Sequence, residues 1–255
     1  MILKPRQFAK PSRGHQLSKG LVGYWLMNEG SGTKVYDLSG NGNTGSLVGN
    51  THFVPGKFGS ALDFDGTVDY VNLGGAILTT YPMTMICWFE TDVRSDDTLF
   101  VLKHDSANSF YLMTDADGDV RLRVEAVNVI DYALTGVFTL NEWHMAAGVL
   151  TSATHRRAYL DGKGGGVRTG DLTPIGINGT RIGGNSHTSA WDYNGRISHV
   201  MLYNRALLAS EVALLYREPF CIFERDPIEL WSAATLGAGE PPAGIPILRR
   251  RREAC

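Results

Sequence analysis

Cysteine is scarce. The 255-residue chain has three, at positions 87, 221 and 255. An odd set at these spacings matches no metal or thiol–disulfide motif, so a disulfide framework is not expected. The reading is a reduced, buried Cys87 and two incidental thiols. Neither sign of charge dominates: 24 Lys and Arg stand against 26 Asp and Glu, a formal net charge of −2. Such a balance gives no global pull toward nucleic acid or acidic lipid. No apolar run approaches the roughly 20 residues that span a bilayer as a helix. The basic start, Met1 to Phe8, lacks the apolar centre of a secretory signal, so export by that route is not expected and synthesis in the cytoplasm is. No His-x-x-x-His pair and no Gly-x-Ser-x-Gly elbow occurs.

Glycine is plentiful, with 30 residues, and 43% of the chain is hydrophobic. Short alternating segments carry that apolar content. Met83, Met85, Cys87 and Phe89 share one face of a predicted strand, and Ile86 and Trp88 make the other face apolar too, which predicts a central strand. Val120, Leu122, Val124 and Ala126 are predicted to face a core, with Arg121, Arg123 and Glu125 outward. Trp143, Met145, Ala147 and Val149 read as another core face, and strands are also expected at 157–160 and 197–203. Trp25, Trp88 and Trp143 read as packing residues in strands. Asp65-Gly66, Asp117-Gly118, Asp161-Gly162, Asn178-Gly179 and Asn194-Gly195 supply hairpin signals, because Asn, Asp and Gly tolerate positive φ. One short helix is predicted at 210–216, capped by Ser210. The expectation from this pattern is an all-β fold: a two-sheet antiparallel sandwich with one short C-terminal helix and extended arms. The arms are residues 1–19 and a Gly/Pro-rich tail, 219–255, ending in Arg249 to Arg252, which reads as solvated. The domain between them is 20–218.

Five ordered blocks go further: Gly23-Tyr24-Trp25; Asp37 to Asn43; Gly56 to Gly66 with Asp69-Tyr70-Val71; Glu142-Trp143-His144 with Tyr159 to Gly162; and Gly195-Arg196-Ile197 with Leu202 to Leu207. This set resembles the laminin G-like, concanavalin A-like lectin/glucanase jelly-roll family over residues 20–217. The resemblance implies two curved antiparallel sheets, often one structural calcium, and binding of glycans or proteins. It also implies that Tyr193 is a core aromatic leading into the last strand. The chain departs from the family at Ser198 and His199, where acidic residues are usual, and at Leu208, where Ser or Thr usually opens the closing helix.

Candidate chemistry is sparse. Asp63, Asp65 and Asp69 cluster, but no Glu-x-Asp-x-x-Glu run presents a catalytic pair from one strand, so the protein is not read as an enzyme. Asp115 to Asp119 imitates a calcium loop, yet its twelfth position is Ala126, and a hairpin turn is the better reading. A calcium site at Asp37, Asn41 and Asn43 is a candidate, beside the alternative of an Asx-rich loop tied to its own backbone. For a ligand, the residues singled out are Asn185, His187, Trp191 and Asp192: an aromatic to stack on a sugar and polar groups to bind its hydroxyls. Trp191 capping the sandwich edge is the equal alternative.

The expected function is non-catalytic recognition or attachment: binding a glycan or protein surface through sandwich-edge loops. Copies of the chain or other assembly subunits would be partners through residues 1–19 and 219–255, with neither nucleic acid nor a membrane span involved. The alternative is a structural subunit of a phage or virus particle, incorporated in the virion. A glycoside hydrolase ranks behind both.

Overall fold

The computed structural model describes residues 4–5, 9–103, 107–184 and 191–223. Its strands are β1 (Leu21–Trp25), β2 (Lys34–Val35), β3 (Gly45–Val48), β4 (His52–Gly56), β5 (Gly59–Asp65), β6 (Tyr70–Asn72), β7 (Met83–Glu90), β8 (Thr98–Lys103), β9 (Asn108–Thr114), β10 (Val120–Ala126), β11 (Val129–Leu134), β12 (His144–Ser152), β13 (His155–Leu160), β14 (Lys163–Arg168), β15 (Gly179–Ile182) and β16 (Asn194–Tyr203), followed by helix α1 (Ala209–Arg217). They form two antiparallel eight-stranded sheets. The first runs β14-β13-β12-β7-β16-β5-β4, with β1 also on β16; the second runs β11-β10-β9-β8-β15-β6-β3-β2. The antiparallel sandwich read from the pattern, with the jelly-roll architecture that the resemblance implied, is the fold.

β7 lies between β12 and β16, and every one of its residues is buried. Met83, Met85, Cys87 and Phe89 enter the core between the sheets, where Leu122, Val124 and Ala126 of β10 meet them. Ile86 and Trp88 enter a second apolar layer, with Tyr24, Met201 and Tyr203 of the first sheet and Val212 and Leu215 of α1. A strand covered on both faces must be apolar on both, which is what the unbroken run in β7 encodes. Each such side chain, fully buried, contributes about 1.5–3 kcal/mol.

β12 corrects one expectation. Ala146 and Leu150 face the other sheet, while Met145, Ala147 and Val149 face the helix side. Both faces of the strand are apolar, so its alternation does not reveal which one meets the second sheet. Trp143 stands just outside β12, half-buried, with the Arg196 guanidinium 5.8 Å from its ring centroid, rather than packing inside a strand.

Of the five hairpin signals, two join paired neighbours. Asp117-Gly118 lies between β9 and β10, and Asp161-Gly162, with φ of 51° and 77°, joins β13 to β14. Asp65-Gly66 instead carries the chain from the first sheet to the second. Gly179 opens β15 and Asn194-Gly195 opens β16, so neither pair is a hairpin turn. A hairpin without such a signal joins β10 to β11 through Val127 and Asn128, at φ of 49° and 65°.

The helix also begins earlier than Ser210. Leu208 is its cap residue, and Ser210 lies inside the first turn. Without a capping hydroxyl, the Glu211 amide donates to the Leu208 carbonyl at 3.0 Å, while the Glu211 carboxylate accepts the Leu208 amide at 2.8 Å and grips both terminal nitrogens of Arg205 at 2.8 Å.

Described parts of both terminal segments lie on the helix side. Leu17, Ile222 and Phe223 are buried in the second layer. Pro11 bridges Phe223, and the Ser12 amide donates to the Ile222 carbonyl at 2.8 Å.

Candidate functional site

Strand pairing lines up one row across the outer face of the second sheet. Asn72 pairs with Arg181, Arg181 with Val101, Val101 with Tyr111, Tyr111 with Arg123, and Arg123 with Tyr132. Their sequence neighbours Val71, Ile182, Phe100, Phe110 and Leu122 point the other way, into the core. The row is therefore built from the residues that alternation leaves outside, and it is cationic and aromatic.

Trp191 joins this row just ahead of β16. It packs on Val101, Tyr111 and Met113, and its ring meets Tyr111 edge-on at 5.9 Å between centroids. The Arg123 guanidinium sits 4.7 Å from the Trp191 centroid and 5.7 Å from that of Tyr111, while one of its terminal nitrogens pairs with Glu125 at 2.9 Å. Its Nε is buried without a hydrogen-bond partner. Arg181 stacks over Tyr70 at 4.2 Å, and Arg121 over Tyr132 at 4.8 Å. A guanidinium held flat on an aromatic ring keeps its N–H edge fixed and ready for a polar ligand. Trp191 is half-buried.

The other residues singled out from the sequence fall differently. Asn185 and His187 lie outside the described residues. Asp192 is adjacent to Trp191 but is 5% exposed, and one of its oxygens accepts the Val68 amide at 2.9 Å, fixing the link between the sheets. Tyr193 is fully buried and donates its hydroxyl to the Glu90 carbonyl at 2.8 Å, the core role implied by the family resemblance.

Asp37, Asn41 and Asn43 do come together, through hydrogen bonds. Asp37 Oδ1 accepts the Tyr24 and Ser39 amides at 3.0 and 2.8 Å; Oδ2 accepts the Ser39 hydroxyl and the Asn43 amide, both at 2.9 Å. The side-chain amides of Asn41 and Asn43 both donate to the Val22 carbonyl, at 3.2 and 2.8 Å. Four donors fill about as many acceptor positions as a carboxylate has. The arrangement staples the loop to β1, and a calcium ion here would have to displace those donors. Among the described residues, no group of three or more His, Cys, Asp or Glu side chains is placed to hold a metal.

Asp65, Asp69 and Asp115 are likewise committed to backbone amides. Asp69, 1% exposed, accepts the Asn50 amide at 2.6 Å and the Asp65 amide at 3.0 Å, and Asp65 accepts the Thr67 amide at 2.7 Å. Burial raises the pKa of Asp63, against the nearby charges of His52 and Arg196. Burial also raises that of Asp97, whose Oδ2 takes the Ser95 hydroxyl at 2.5 Å. Asp115 accepts the Asp117 amide at 2.6 Å and pairs with Arg121, as a hairpin turn requires.

Comparison with known proteins agrees with this architecture. A family model for the concanavalin A-like lectin/glucanases superfamily matches residues 65–213, more than half of the chain. The chain belongs to that superfamily. Strands β1 to β4 and nearly all of β5 precede the matched span yet complete the same two sheets. No curated protein sequence matches.

Several solved structures share the superfamily fold. Domain 4 of AbnA, an extracellular arabinanase from Geobacillus stearothermophilus solved in complex with arabinotriose, is 17% identical. It aligns over 77% of this chain and 98% of its own, with a TM-score of 0.64. The binding domain of Paraclostridial Mosquitocidal Protein 1 is 17% identical over 79% of this chain and 52% of its own, at 0.65. Trypanosoma rangeli sialidase in complex with sialic acid is 20% identical over 81% of this chain, at 0.62. The chain thus spans about half of that binding domain and 34% of the sialidase.

The Tyr111–Arg123–Trp191 group was only partly legible. Trp191 stood out as an aromatic in a polar loop. Tyr111 and Arg123 carry no motif; the available signal was that outward positions of adjacent strands alternate between aromatic and cationic residues.

Proposed function

We propose that this protein is a non-catalytic recognition module that binds a carbohydrate or protein surface at the Trp191 platform on the outer face of the second sheet. The observation that carries the reading is the packing of Trp191 against Tyr111 and under the Arg123 guanidinium, which holds an aromatic ring and a fixed donor edge side by side. Aromatic rings offer apolar contact at low entropic cost, and neighbouring polar groups set orientation. The AbnA domain is bound to arabinotriose, and the similar part of Paraclostridial Mosquitocidal Protein 1 is its binding domain, which supports binding as the task. The engagement of Asp37, Asp65, Asp69 and Asp192 with backbone amides supports a module without catalysis.

The test is a glycan array and a panel of immobilised polysaccharides, screened with the full chain and with Trp191→Ala. The expected result is binding that falls at least tenfold in the variant, about 1.4 kcal/mol, with an unchanged circular-dichroism spectrum. Binding that survives the substitution undiminished would move the site elsewhere. A hydrolysis product from any bound glycan would overturn the non-catalytic reading.

A further inference from the structure

β16 carries two strands on one of its edges. Its start, Asn194 to Ile197, pairs with β5, and its end, Val200 to Tyr203, pairs with β1. Between them, at Ser198 and His199, neither strand reaches. β5 pairs from Leu62 onward and β1 ends at Trp25, and the register with β7 slips at the same place. Carbonyl groups at such a break have no ladder partner, and a buried carbonyl requires a donor.

Lys4 supplies the donors. Its Nζ hydrogen-bonds to the carbonyls of Leu26 at 2.5 Å and Ser198 at 2.7 Å, and to that of Ser60. These oxygens belong to the residue after β1, to β16 and to β5. An ammonium has three donors, and three carbonyls from three segments take them. The flanking main chain is seated too: the Lys4 amide donates to the Phe58 carbonyl at 3.2 Å, and the Asn28 side chain donates to the Pro5 carbonyl at 3.0 Å. Burial draws the Lys4 pKa down to about 7, partly offset by the charge of Glu29.

We infer that the gap between β1 and β5 is an ammonium socket, a three-carbonyl site for a primary alkylammonium, with Lys4 as its resident occupant and the N-terminal arm thereby clasped to the first sheet. The site is defined by backbone, so it persists when the Lys4 side chain is removed, and it then accepts a free alkylammonium of matching reach. An ion of equal charge without N–H donors does not fit it, and neither does a neutral alcohol of equal length.

The experiment is chemical rescue in the full chain. Lys4→Ala is expected to lower the thermal unfolding midpoint and to raise protease cleavage within residues 1–19 at least tenfold. Added n-propylammonium restores both in a saturable manner, as ligand linkage demands; tetramethylammonium at equal ionic strength and n-propanol do not. Rescue no better than with tetramethylammonium, or an arm equally protected in the variant, overturns the socket. Should Lys4→Ala fail to fold, amine labelling of the unsubstituted protein decides. At pH 10.5, where an ordinary lysine is about half deprotonated and the lowered Lys4 pKa gives it little advantage, Lys4 is expected to react at least tenfold more slowly than the exposed Lys34 and Lys163, and equal rates overturn the inference.

Discussion

The imidazole of His199 stacks on the indole of Trp88, with ring centroids 5.8 Å apart and planes 27° from parallel. Tyr24, Phe58 and Phe220 close around the same ring at 5.1 to 6.2 Å. His199 is fully buried, and its Nε2 has no hydrogen-bond partner. Burial, reinforced by the Lys4 charge, pushes its pKa well below the ordinary value. The superfamily's usual acidic position is thus occupied by a neutral aromatic in an aromatic cage, beside the Ser198 carbonyl that Lys4 holds.

Acid stability follows from that cage. With the folded pKa lowered, the unfolded chain takes up a proton near pH 6.5 that the native state refuses. Stability therefore falls as pH drops below about 6.5, by up to about 1.4 kcal/mol per pH unit for this group. His199→Phe removes the titration. Urea unfolding at pH 7 and pH 5 is expected to show a smaller loss in the variant than in the parent; equal losses would place the acid sensitivity elsewhere.

His144 titrates the other way. Burial lowers its pKa, but the hydrogen bond and charge of Asp161, the Thr139 carbonyl and Glu142 outweigh burial and raise it. Its Nδ1 lies 2.8 Å from Asp161 Oδ2, and Asp161 Oδ1 also accepts the Met145 amide at 2.9 Å. A raised pKa means stability fully present below about pH 6.5 and lost as pH rises through the folded value. Asp161→Asn is expected to flatten that decline between pH 6 and 8, checked by unfolding midpoints across the range. A decline as steep as the parent's would show that the pair does not set it.

The Asp37 staple makes a quantitative claim. Asp37→Ala strands the Tyr24 and Asn43 amides at the start of the sandwich. The expected cost is about 2–4 kcal/mol, on the scale of one to two unsatisfied buried groups with a charged acceptor. Urea denaturation measures it. The staple also predicts that a chelator leaves the parent's midpoint unchanged; a midpoint that rises with added calcium would restore a cation to this loop.

Gly165 marks where β14 closes against β11. A Cβ there would lie 1.9 Å from the Leu134 carbonyl oxygen, a backbone atom that cannot rotate away. Gly165→Ala is expected to cost about 1–3 kcal/mol by overpacking. Gly166→Ala, whose Cβ meets nothing within 4 Å, is the matched control and is expected to change stability far less. Thermal unfolding of the two variants compares them directly.

Much of the fold was legible because alternation is local. The unbroken apolar run of β7 marked a central strand, and the outward Arg121, Arg123 and Glu125 of β10 marked a face away from the core. The ordered blocks from Gly23 to Leu207 pointed to the superfamily by themselves. Legibility failed wherever a residue's role depends on a distant partner. Which face of β12 meets the other sheet was not legible, because a helix covers the opposite face and both are apolar. Asn178-Gly179 looked like a hairpin, but the strand it opens pairs with β6 and β8.

The amino-acid sequence alone determined the layers, since period-two burial and glycine turns are written in neighbouring residues. Tertiary structure alone decided the register that sets Tyr111 beside Arg123 and brings Trp191 onto them from a remote loop. It alone decided the break in β16 that Lys4 fills, 194 residues away along the chain. Register and gaps arise from how strands meet, and a strand pattern of period two reads the same whichever partner it meets.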